Sequence, residues 1–125
     1  MIDQARGGDL LDALANLVTD FDGDRLVALF AERAELRPDP FADLVLGRND
    51  IRAYWASAVD AMGQPEVTVE RHWVSGDTVL ASWHASYVSA DHSRTRLAGF
   101  VTIELVDGSI ERLKVWSSRR SSAGF

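Results

Sequence analysis

The sequence contains no cysteine. Disulfides, thiolate catalysis and cysteine-based zinc or iron–sulfur sites are therefore excluded whatever the fold. No stretch approaches the ~18 uninterrupted apolar residues that a membrane-spanning helix needs. The opening MIDQARGGD lacks the basic start and apolar run of a secretory signal. A cytoplasmic protein with no membrane partner is the expectation. Positive charge is also scarce: 13 Lys and Arg face 19 Asp and Glu, for a formal charge of −6. Asp3, Asp9, Asp12, Asp20, Asp22 and Asp24 crowd the N-terminal stretch beside Arg6 alone. Such a chain repels phosphate backbones, and the late cluster Arg112, Lys114, Arg119 and Arg120 is too small to reverse that, so no nucleic-acid partner is expected. No pair of His, Asp or Glu has the H-x-H or H-E-x-x-H spacing of a metal site, so no metal is expected.

What is present fits one compact α+β domain. The chain has 125 residues, 46% hydrophobic and 26% charged, which leaves little room for a second domain and argues against global disorder. Residues 1–8 read as a flexible start. Asp9 is the expected N-cap of a first helix, in which Leu10, Leu14, Leu17 and Val18 recur at helical spacing. The Asp20–Asp24 turn opens a second helix, with Leu26, Val27, Leu29 and Phe30 as its apolar stripe, ending at Phe30–Ala31. A short strand, Ala34–Arg37, and the turn Pro38-Asp39-Pro40 follow. A third helix is predicted from about Asn49 to Met62, burying Ile51, Tyr54, Trp55, Ala58 and Val59. Gly63-Gln64-Pro65 ends it.

From Glu66 the period changes. Val67–Val74, Thr78–Ser89, Arg94–Val106 and Ile110–Ser117 are rich in β-branched and aromatic residues. Their short connections, above all Asp107-Gly108, predict an antiparallel meander. Gly99 inside a strand of about a dozen residues marks a bend. A strongly curved sheet incompletely covered by three helices leaves a concave pocket. Residues 9–117 are the expected single domain, and 118–125 a flexible tail.

The segments LVALFAERAEL, the acidic-proline turn, GRNDIRAYW and VDGSIERLKVW resemble the nuclear transport factor 2-like superfamily, and in it the SnoaL-like polyketide-cyclase and ketosteroid-isomerase branches. The resemblance spans about Leu10 to Ser117. It implies a cone-shaped curved sheet with an apolar cavity, a homodimer, a small apolar or polycyclic ligand, and in many members no cofactor. Steroid isomerases of this family use one carboxylate as base, with a Tyr and a protonated Asp as oxyanion donors. By position those donors fall at Leu14 and Val101, which cannot donate. Losing such donors typically costs ~3 kcal/mol or more apiece, so efficient steroid isomerisation is not expected. Epoxide hydrolysis would call for an Asp–Arg–Asp cluster, where this chain offers Val101 and Leu113.

Asp39 is the leading catalytic candidate, because prolines on both sides restrict the backbone that aims its carboxylate. At an apolar cavity mouth it would serve as a general base. The same pattern is also ordinary turn chemistry for a solvated acid. His84 is the second candidate. Matching to the isomerase branch turns Leu80, Ser82, His84 and Ser86 toward the cavity, with Gly99, Val101, Ile103, Leu113 and Val115 from neighbouring strands. His84 would then be the cavity's one imidazole, able to transfer a proton near neutral pH. Hydrophobicity alone favours the alternate face, Val79, Ala81, Trp83, Ala85 and Tyr87. Ser82, His84 and Asp39 together suggest a Ser–His–Asp set, but no G-x-S-x-G elbow supports it. The resemblance places Phe30, Tyr54 and Trp55 beside the cavity, where they would stack on a flat ligand. With Leu14, Ser82, Val101, Ile103 and Leu113 they complete the expected ligand-binding set. Two functions remain: a cofactor-independent isomerase or cyclase acting on an apolar carbonyl compound, and a non-catalytic ligand-binding or dimerising module.

Overall fold

The computed structural model describes residues 1–122; the end of the expected flexible tail, 123–125, lies outside the described residues. The chain order is α1 (Gln4–Thr19), α2 (Gly23–Ala28), β1 (Phe30–Arg37), β2 (Val45–Leu46), α3 (Gly47–Met62), β3 (Glu66–Ser75), β4 (Thr78–Val88), β5 (Arg94–Val106) and β6 (Ser109–Ser122). The strands form one sheet in the order β2-β1-β6-β5-β4-β3. This is an unclosed, curved α+β arrangement with the helices on the concave side.

The expected meander holds for β3 to β6, whose neighbours pair antiparallel. The sheet is nevertheless mixed, because β1 runs parallel to β6. Parallel neighbours need a long crossover, here α3 and four strands. Asp107 and Gly108 have φ of 51° and 81° between the paired Val106 and Ser109, the two positive angles of a type I′ turn. Curvature comes from strand length and from irregularities: the register shifts between Val69 and Arg71 and between Glu104 and Leu105. At Gly99 an added Cβ would lie 1.8 Å from the Trp116 carbonyl oxygen, so only glycine allows β5 and β6 this close.

Three boundaries depart from the sequence reading. Helix α1 begins at Gln4, with the Asp3 carboxylate accepting from the Arg6 amide, rather than at Asp9. The Gly7-Gly8 pair that reads as loose is a contact surface: a Cβ on Gly7 would meet Val74 Cγ2 at 2.7 Å, and one on Gly8 would meet His72 Cε1 at 3.1 Å. Helix α2 stops at Ala28 and Phe30 starts β1, where it pairs with Ile110 of β6 and its carbonyl accepts twice from Arg48 of α3, at 3.0 and 2.8 Å. Strand β6 continues through residues 118–122, expected as part of a flexible tail, and pairs there with β5.

The core fills one end of the concave face. Leu26, Phe30, Leu36, Ile51, Val79, Ile103 and Ile110 are all fully buried. Each such side chain contributes roughly 1.5–3 kcal/mol of burial. At the other end the helices stand off the sheet.

Candidate functional site

Where α1 and α3 part from the sheet, they leave a half-open cavity of about 720 Å³. One wall is helical: Leu11, Leu14, Ala15 and Val18 of α1, then Tyr54, Trp55, Ala58 and Met62 of α3, both sets at the i, i+3, i+4 spacing of one helix face. The opposite wall is the sheet: Val67 and Val69 of β3, Trp83, Ala85 and Tyr87 of β4, Leu97 and Val101 of β5, and Leu113 and Val115 of β6. Most of these side chains are apolar. The polar groups among the lining residues belong to Asp39 beyond the end of β1, Tyr54 and Trp55 of α3, Trp83 and Tyr87 of β4, Ser89, and Ser117 and Arg119 of β6.

Asp39 lines the cavity from the exposed loop that follows Arg37. One carboxylate oxygen accepts from the Phe41 amide at 2.9 Å, and the Asp39 carbonyl accepts from the Ala42 amide at 3.0 Å. Arg37 Nη1 holds the same turn by donating to the Ala42 carbonyl at 2.7 Å. The second carboxylate oxygen has no protein donor among the hydrogen bonds of the described residues. Tyr54 lies within its electrostatic reach: burial, and then the Asp39 charge, push the phenol above its ordinary value of 10.0. Tyr54 therefore stays a protonated donor through neutral pH, next to a carboxylate.

The structure corrects the position of His84. Directly opposed residues in an antiparallel pair share a face, and β4 pairs Trp83 with Gly99, Ala81 with Val101 and Val79 with Ile103. The odd-numbered residues of β4 thus face inward, as hydrophobicity indicates, and His84 and Ser82 face outward. His84 is half-exposed there, its Nδ1 3.4 Å from Glu70. The family match had paired the right β5 residues with the wrong face of β4; a one-residue slip turns over every side chain of a strand. Ser82 and His84 cannot reach Asp39 through the sheet, so no Ser–His–Asp set exists.

Phe30 and Ile103 are likewise not in the cavity wall; both are fully buried in the core beneath it. The cavity wall brings together Leu14, Asp39, Tyr54, Trp55, Val101 and Leu113. Sequence reasoning missed Trp83, Tyr87 and Arg119 as wall residues. The alternation of β4 carried the signal for the first two; nothing in the sequence marked Arg119. His72 is also outside the cavity, its Nε2 2.8 Å from the Gln4 carbonyl under the first turn of α1. Among the described residues no group of three or more His, Asp or Glu is placed to hold a metal ion, and no helix is long and apolar enough to cross a membrane.

A curved, unclosed sheet roofed by helices over a cavity on its concave face is the architecture of the nuclear transport factor 2-like superfamily. Within that superfamily, the SnoaL-like domain profile matches residues 11–113, and the chain belongs to the SnoaL-like family. Comparison with curated protein sequences gives no match. Among solved structures, the chain is similar to SalBIII, an epoxide hydrolase/cyclase-like enzyme with a role in pyran-ring formation in the polyether salinomycin. The TM-score is 0.83 at 20% identity, covering 94% of this chain and 95% of that one. The Mycobacterium tuberculosis protein RV0760c gives a TM-score of 0.83 at 13% identity, covering 98% and 100% of the two chains. That protein has also been solved in complex with estradiol-17beta-hemisuccinate. A computationally designed 17-OHP binder gives 0.81 at 15% identity over 94% and 98%. At these identities the likeness is one of fold.

Proposed function

We propose that the protein binds a small apolar carbonyl compound in the cavity between α1, α3 and the sheet. The observation that carries this is the half-open space of about 720 Å³ walled mostly by apolar side chains, with polar groups among them. Two structural relatives that hold or were designed to hold steroid-like molecules support the ligand class. A thermal-shift screen of polycyclic ketones tests it, run on wild type and on Ala58→Trp, which puts an indole into the space from α3. Ketones should stabilise wild type and leave Ala58→Trp unmoved. Equal shifts in both proteins would place binding elsewhere.

A second reading adds proton transfer, and the place of both Asp39 and Tyr54 in the lining of one cavity favours it. The free carboxylate oxygen of Asp39 removes a proton from a carbon next to the ligand carbonyl. The Tyr54 phenol donates to the enolate oxygen, and the proton returns from Asp39 to carbon. With Leu14 and Val101 at the positions of the family's usual donors, the rate would be modest. The measurement is exchange of ketone α-protons in D₂O by NMR. Asp39→Asn should stop exchange while ketone binding persists; exchange that continues in Asp39→Asn removes this reading.

Self-association through the outer sheet face belongs to the same proposal. Trp73, Leu80 and Phe100 are exposed there at 41%, 36% and 48%. Glu66 and Glu70, beside Arg71, lie toward the β3 edge, while Arg96, Arg112, Lys114 and Arg120 outnumber Glu104 on β5 and β6. Two-fold apposition of this face with itself sets the acidic edge of each copy against the basic strands of the other. Light scattering should give a dimer for wild type and a monomer for Phe100→Glu.

A further inference from the structure

The four tryptophans divide by environment. Trp73 and Trp116 lie on the outer face beneath cations, with Arg71 Cζ 5.2 Å and Lys114 Nζ 4.7 Å from their rings. Trp55 and Trp83 line the cavity. Both of these carry a buried indole N–H with no acceptor, and no other buried side-chain nitrogen or oxygen among the described residues is left without a partner. A buried donor without an acceptor weakens the folded state by more than a formed hydrogen bond strengthens it. That the two such donors among the described residues both belong to rings lining one cavity calls for an explanation in terms of what the cavity holds.

Their placement is complementary. Trp55 stands on the helical wall, its ring edge-on to Tyr54 with centroids 5.6 Å apart. Trp83 stands on the sheet wall, and its cross-strand neighbour on β5 is Gly99, which presents no side chain beside it. The two rings therefore stand on opposite sides of the space. Each N–H is turned into the wall, and the torsion about an aromatic Cβ–Cγ bond is broad, so an acceptor in the cavity would draw the N–H round to face it.

Resting on the cavity-binding reading above, we infer that Trp55 and Trp83 are its specificity-determining residues. They select a flat apolar molecule with carbonyl oxygens on opposite edges, one accepting from each indole. Such a ligand needs no donor of its own at these positions. A hydrocarbon of the same shape would fill the space but leave both N–H groups unpaired, and is discriminated against for that reason.

Anthraquinone and anthracene are matched probes: the same three-ring outline, with and without two opposed carbonyls. Affinities are measured for wild type, Trp55→Phe and Trp83→Phe, and the indole N–H resonances of wild type are followed by NMR. Wild type should prefer anthraquinone, and each Phe variant should lose about three- to tenfold of anthraquinone affinity with anthracene unchanged. On adding anthraquinone, the Trp55 and Trp83 N–H resonances should move downfield while those of Trp73 and Trp116 stay. If both probes bind wild type equally and the Trp55 and Trp83 resonances do not report a new hydrogen bond, the inference is overturned and the binding cavity stands. Should neither probe bind, the cavity-binding reading fails and the inference with it. The wild-type spectra decide the matter even if a Phe variant does not fold.

Discussion

Replacing Gly99 by alanine tests the close approach of β5 and β6 at the floor of the concave face. The new Cβ would sit 1.8 Å from the Trp116 carbonyl oxygen, 2.7 Å from its carbonyl carbon and 2.8 Å from Ser117 Cα. All three are backbone atoms, so no side chain can swing aside. Reaching ordinary contact near 3.4 Å requires β5 and β6 to separate by about 1.6 Å at this point. The paired residues Gly99–Ser117 and Phe100–Trp116 would lose good hydrogen-bond geometry. Roughly two ladder bonds at ~1 kcal/mol each, with an overpacking cost of ~1–3 kcal/mol, give a loss of about 3–5 kcal/mol. Domains of this kind have about 5–15 kcal/mol in total, so the variant should be marginal. Urea unfolding followed by circular dichroism measures the difference. Stability within about 1 kcal/mol of wild type would show that β5 and β6 part cheaply at Gly99, and the claim that only glycine allows their close approach would be wrong.

Two further outcomes follow from the site and its supports. The Tyr54 phenol is raised above 10.0 in the folded chain, so the stability it lends is complete below the unfolded value and is lost as pH rises through the folded one. Wild type should thus lose stability above about pH 10 more steeply than Tyr54→Phe, as read by urea midpoints across alkaline pH; parallel curves would contradict the burial of that hydroxyl. Arg48→Ala removes both guanidinium bonds to the Phe30 carbonyl, and should cost about 1.5–3 kcal/mol while sparing the cavity wall. A midpoint unchanged from wild type would mean that the tie between α3 and β1 is made by apolar packing alone.

Much of the fold is legible in the residues because it rests on local period and turn chemistry. The stripes of α1 and α3, the Asp107-Gly108 turn and the proline-bracketed Asp39 are each set within a few residues of sequence. What could not be read are features fixed by distant parts. The parallel pairing of β1 with β6 joins segments some eighty residues apart. Gly7 and Gly8 read as loose because glycine alone carries no mark of the close strand it packs on. The face of β4 was legible, and alternation of Val79, Ala81, Trp83, Ala85 and Tyr87 gave it correctly. Matching by family position overrode that signal and displaced His84 and Ser82 to the wrong side. Phe30 and Ile103 show a related limit: an apolar residue on the inward face can lie in the floor or in the wall, and only the depth of the core decides which.

The central claim is that one apolar ligand sits between the helices and the sheet. Isothermal titration of wild type and Ala58→Trp, at several temperatures, with the polycyclic ketone giving the largest thermal shift tests it most directly. One ligand per chain is predicted, with a negative heat-capacity change from apolar burial, and no binding to Ala58→Trp. Saturable binding that survives in Ala58→Trp, or binding without a heat-capacity change, would contradict the account.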